Sequence, residues 1–132
     1  QLSKLDFMLI ENKKRYDVLK NSISTIYKIR EELPSHMGSY DTFILEVIDP
    51  LLREKIISFI KESNFGTKNL PDAMEWHCSY FWEHALDKEQ ILNSKGSYQI
   101  LINQIAIPIL LKKSIFEYQK LGDGIASLFS RE

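Results

Sequence analysis

The sequence predicts an all-α fold: a bundle of four principal helices, kinked at prolines and followed by a short C-terminal helix. Three observations carry that expectation. Residues 5–33 hold a heptad-spaced apolar seam, residues 41–63 carry a broad apolar stripe at helical period, and breaks rich in glycine, proline and serine fall between the helical stretches.

The first element is the most regular. Leu5, Leu9, Asn12, Tyr16, Leu19, Ile23, Ile26, Arg30 and Leu33 alternate steps of four and three, which predicts one long helix over residues 3–33 lying nearly parallel to a partner helix. The partner is either another helix of the same domain or a second chain, so Leu9, Tyr16, Leu19, Ile23 and Ile26 are candidate interface positions. Asn12 and Arg30 interrupt the seam, and polar residues in such places set register.

Pro34 removes an amide donor and disfavours helix at Leu33, and Gly38 with Ser35 and Ser39 supplies turn chemistry. A second helix is expected from about Asp41 to Ser63, with a break or sharp bend at Asp49-Pro50, where Asp49 can cap and Pro50 can take the first helical position. Gly66 closes it. Asn69 and Pro71 open a third helix over 71–93, Ser97 caps a fourth over 98–121 kinked at Pro108, and Gly122–Gly124 stops that one before a tail helix over 125–129. The isoleucine-rich stretch at 100–111 also fits a buried strand, but its length and helical neighbours favour helix.

Composition excludes more than it assigns. The chain of 132 residues is 44% hydrophobic and 27% charged, suited to one globular core rather than to disorder. Seventeen basic against eighteen acidic residues give no global field for nucleic acid or an anionic membrane. Lys13-Lys14-Arg15 and Lys112-Lys113 read as solvated faces. The run from Ile100 to Leu111 is too short to span a bilayer, and the single Cys78 fits a reducing, cytoplasmic setting. The chain opens on Gln without a leader pattern, so it reads as one helical domain over 1–132, with the long helix at 3–33 and a helical core at 40–130, belonging to a longer protein. Ser35–Ser39, "SHMGS", also matches the residues expression vectors leave behind.

The richest stretch chemically is "MEWHCSYFWEH", Met74–His84. Its two histidines, seven residues apart, would stand about 10 Å apart along a helix, too far to share one metal ion, so no metal site and no cofactor is expected. Its aromatics cannot all face one core. Trp76, Tyr80 and Trp82, with His77 and His84, are therefore candidate binding residues for a protein partner or small ligand. Asn103 and Gln104, expected inside the most buried helix, need polar partners and are candidates to converge on the same pocket, with His77, His84 or Asn12 across from them.

Two resemblances add to this reading. Arg30 and His36, with five residues between them, resemble the Arg–His pair of HEPN-type ribonucleases, which implies a dimer cleft where the two would be catalytic in RNA cleavage. "LIENKKRYDVL", Leu9–Leu19, is similar to the first helix of the effector-binding half of TetR-type regulators, which implies a helical, dimeric, pocketed domain. The function expected is a non-catalytic protein-interaction or dimerisation module of regulatory type with room for a small ligand; the alternative is the ribonuclease.

Overall fold

Three stretches that the helical reading assigned to helices, or to the turns beside them, pair their backbones with one another instead. The computed structural model describes residues 2–29 and 38–129, with α1 at Leu5–Ile23, β1 at Lys28–Ile29, β2 at Thr42–Glu46 and α2 at Pro50–Glu62. Then come α3 at Met74–His77, α4 at Lys88–Asn93, α5 at Lys95–Leu101, β3 at Gln104–Pro108 and α6 at Ile115–Phe129. The strands form an antiparallel sheet in the order β1-β2-β3. The fold is mixed α/β, and the all-α bundle is overturned.

Each correction has a local cause. In "TFILE" Phe43 and Leu45 face inward with half-buried residues between them, a period of two concealed within an apolar run that also fits a helical stripe. Phe43 pairs with Ile107 and Leu45 with Ile105, so β-branched and aromatic side chains meet across the ladder on the core side. Pro108 ends β3, where the ring costs the sheet little, rather than kinking a helix.

The first helix is shorter than its seam. α1 stops at Ile23, the chain turns through Ser24–Ile26, and Lys28 and Ile29 pair with Glu46 and Leu45. Two of the residues past Ile23, Thr25 and Ile26, are β-branched and lose rotamer freedom in a helix, whereas strand pairing supplies the backbone with partners. At the other proline the sequence is informative: the Asp49 carboxylate accepts from the amides of Leu51 and Leu52 at 2.8 and 3.2 Å, and Pro50 takes the first helical position.

Residues 71–93 form no long helix. α3 ends at Cys78, whose extended backbone turns the thiol inward, a 3-10 turn follows at Ser79–Phe81, and α4 starts from a capping box between Asp87 and Gln90. A continuous helix there would carry large side chains on every side with one core to receive them.

Gly122 and Gly124, expected to stop a helix, lie inside α6. A Cβ on Gly122 would come within 2.7 Å of the Ser22 side chain, and one on Gly124 would collide with the Phe59 ring. These glycines let α6 approach α1 and α2 closely, at some cost in helix propensity.

The result is two layers. α1, α2 and α6 cover one face of the sheet, and Tyr16, Leu19, Ile23, Ile56, Ile60, Tyr118, Leu121 and Ile125 meet Phe43, Leu45, Ile105 and Ile107 between them. The Tyr118 hydroxyl donates to the Pro108 carbonyl at 2.9 Å and accepts from the Leu110 amide at 2.8 Å, fixing how the chain leaves β3. The outer edge of β3 is also occupied, because the Lys68 amide donates to the Ala106 carbonyl and the Ala106 amide to that of Leu70. Among the described residues no helix is long and apolar enough to cross a membrane.

Candidate functional site

The heptad positions are used at home. Tyr16, Leu19 and Ile23 are buried in this chain's own core, Ile26 packs against that core and Leu9 is half-buried, so this part of the seam faces β2 and α6.

The aromatic segment does assemble, on the rim of the molecule. Tyr80 stacks on Tyr98 with ring centroids 4.6 Å apart and planes 15° from parallel, and Phe81 stands edge-on to both. Trp82 is half-buried and its indole Nε1 donates to the Glu75 carbonyl at 3.2 Å. Trp76 projects away from this group with 81% of its surface exposed, and His77 and His84 are exposed as well.

Asn103 and Gln104 do not join them. Asn103 lies in the turn between α5 and β3, where its side-chain amide donates to the Gln99 carbonyl, and Asn12 instead donates to the Ser39 carbonyl at 3.2 Å. Gln104 opens β3 opposite Glu46 and, with Lys28, Ile29, Ile44 and Ile100, lines a cleft of about 220 Å³ on the outer sheet face. That volume falls below the roughly 300–1,000 Å³ of ordinary ligand pockets. The polar amides, histidines and tryptophans therefore belong to separate places, because the strand that replaced the expected helix carries Gln104 away from residues 74–84.

Arg15 is the residue the sequence reading missed. Read as part of a solvated basic cluster, it is buried instead: Nε donates to the Lys113 carbonyl at 2.8 Å, and Nη1 to the Glu11 carbonyl and carboxylate at 2.7 and 2.9 Å. The available signal was its position, since Arg15, Leu19 and Ser22 share one face of α1 and that face meets α6. Glu11 sits below the usual carboxylate range because Lys14, then Arg15, bond its charged form.

The start of α6 is a second polar node. Ser114 and Glu117 form a capping box in which the Ser114 amide and hydroxyl both donate to the Glu117 carboxylate, at 2.7 and 2.9 Å, and the Glu117 amide donates back to the hydroxyl. The Ser114 backbone amide, the Lys113 ammonium and the Ser114 hydroxyl hold the Glu117 carboxyl down to about 2. Lys68, bonded to Asp41 at 2.7 Å, lowers that carboxyl too, and burial raises the Tyr118 phenol. Among the described residues no group of three His, Cys, Asp or Glu gathers as a metal-donor set.

No family pattern matches the sequence and no curated protein does. Solved structures match the fold. Over 99% of its length the chain superimposes, with a TM-score of 0.70 and 15% identity, on 33% of a protein from Streptococcus pneumoniae described as a sugar aminotransferase, in its PMP form. The apo form of that protein gives a TM-score of 0.59 at 15% identity, with all of this chain on 35% of the other. The aminotransferase TlmJ of Streptoalloteichus hindustanus gives 0.66 at 13% identity, with 99% of this chain covering 34% of it. The chain thus shares an aminotransferase-type fold and spans about a third of the length of the structures it matches. This likeness overturns the expected non-catalytic interaction, dimerisation or regulatory module with its small-ligand pocket, and the HEPN alternative with it. Arg30 and His36 themselves lie outside the described residues.

Proposed function

We propose that this chain is the part of an aminotransferase-type enzyme that packs beside the cofactor rather than holding it, in an enzyme that moves an amino group onto a sugar-derived carbonyl. The observation that carries the reading is the superposition of 99% of the chain, at a TM-score of 0.70, on a third of a sugar aminotransferase.

A pyridoxal- or pyridoxamine-phosphate cofactor needs amide donors or cations for its phosphate, and in the pyridoxal form a lysine amine for its aldehyde. Several of the described groups that could meet that need are already engaged. Asp49, Asp87 and Glu117 already place carboxylates on the amides that open α2, α4 and α6, so a phosphate there would meet like charge. Lys13, Lys14, Lys28, Lys61, Lys68 and Lys113 pair with carboxylates, and Lys120 lies over the Phe116 ring. On this reading those groups keep their present partners, and the cofactor cage comes from polypeptide outside the described residues. The single buried Cys78 suits a reducing, cytoplasmic setting.

The test is made on the protein as its own cell produces it and on the 132-residue chain in parallel. The cell-derived protein is expected to show cofactor absorbance that an amino donor converts from the aldehyde to the amine form. The chain alone, titrated with pyridoxal phosphate, is expected to show no saturable binding. A cell-derived protein without cofactor and without amino transfer would sink the reading, and saturable binding by the chain alone would overturn the division of labour.

A further inference from the structure

The start of α1 carries apolar side chains where this chain offers no core. Leu5, Phe7, Met8 and Ile10 are 48%, 62%, 44% and 57% exposed, and at 100° per residue they point to all sides of the helix. The first side chain buried in α1 is Asn12.

The reason is the placement of α6. It runs beside α1 in the same direction: Arg15 bonds the Lys113 carbonyl, Ser22 bonds Asp123, and the Tyr27 ring meets that of Phe129. α6 thus begins level with Arg15, and α1, which starts at Leu5, continues beyond it by about 15 Å, ten residues at ~1.5 Å each. Phe116, in the first turn of α6, is 64% exposed.

We infer that Leu5–Ile10 is a helical arm enclosed by the remaining two thirds of the aminotransferase-type fold, and this rests on the proposed function. A helix apolar on every side is a buried helix, and soluble proteins rarely leave such side chains grouped in water. The matched structures supply the occupant, since in each of them the shared third belongs to a chain about three times as long. A second copy laid along the arm would cover one side and leave wet either Leu5 or the opposite pair, Phe7 and Ile10. A surrounding domain covers all of them.

Hydrogen exchange, read on the cell-derived protein and on the 132-residue chain, tests the arm. The amides of residues 7–10 are expected to exchange at least ~100-fold more slowly in the cell-derived protein, with those of α6 alike in both. Phe7→Glu with Ile10→Glu should leave the thermal midpoint of the short chain unchanged and lower that of the cell-derived protein. Equal exchange in both samples, a cell-derived protein no longer than this chain and monomeric, or protection of the short chain that grows with its own concentration would each overturn the inference. Cofactor absorbance in the same samples is scored separately, so a protected arm without cofactor sinks the catalytic reading and leaves the enclosure standing.

Discussion

Residues 12–23 of α1 and residues 71–101 are both rich in large side chains, yet only the first region is built into a core. Tyr16, Leu19 and Ile23 are buried against the sheet and α6, whereas Cys78 is the one buried residue of the described stretch from Pro71 to Leu101. The difference lies in what stands opposite. α1 has a strand and a parallel helix to receive a single stripe, while the aromatics of 76–82 pack on one another at the rim. Aromatic content marks a place where area can be buried, and periodicity against a facing element decides whether it is.

The contrast can be broken most sharply by truncation in the core. Leu19→Ala, at a fully buried position between α1 and α6, is expected to cost about 2–5 kcal/mol in a urea unfolding titration. A loss below 1 kcal/mol would mean that the layer is loosely packed and the comparison false.

Next comes Gly124→Ala. Helix propensity alone favours alanine by up to about 1 kcal/mol, but the new Cβ meets the Phe59 ring, so a net destabilisation of roughly 1–3 kcal/mol is expected by the same titration. A stabilised variant would show that α2 and α6 can move apart freely.

The capping box is sensed by pH. Glu117 titrates at about 2 in the folded chain against an ordinary 4.5, so its carboxylate stabilises the fold fully above 4.5 and loses that contribution as pH falls toward 2. Glu117→Gln is expected to flatten that part of the stability profile, followed by circular dichroism, and to leave the profile above pH 6 parallel to the parent. Its effect should be modest, because the group is solvent-exposed.

Smallest of all is Trp76→Ala. With the ring largely in water the unfolding free energy should change by no more than about 0.5 kcal/mol, although the residue belongs to the segment richest in aromatics. A large loss would place Trp76 in a core and erase the distinction between the two regions.

The core positions of α1 were legible because a period of 3.6 in Leu19, Ile23 and their neighbours survives whatever faces them. The cap at Asp49-Pro50 was legible too, since its chemistry is local. β2 and β3 were not. "TFILE" and "QIAIP" are as apolar as a buried helix and too short for their period to be decisive, so their state depended on each other across about sixty residues of sequence. Gly122 and Gly124 misled for a related reason, as a glycine that ends a helix and one that lets two helices touch look alike until the neighbour is known. Arg15 was hidden among lysines because burial of a charge depends on carbonyls some hundred residues away.

By itself, then, the sequence determined a chain of ordinary charge, an amphipathic first helix and a capped second one, the helices being products of local propensity and pattern. The tertiary structure alone decided the sheet, the division of the aromatic stretch and the aminotransferase-type architecture. Strand pairing and close helix contacts are made between residues distant in the chain, and their free energies exceed the local preferences that point elsewhere.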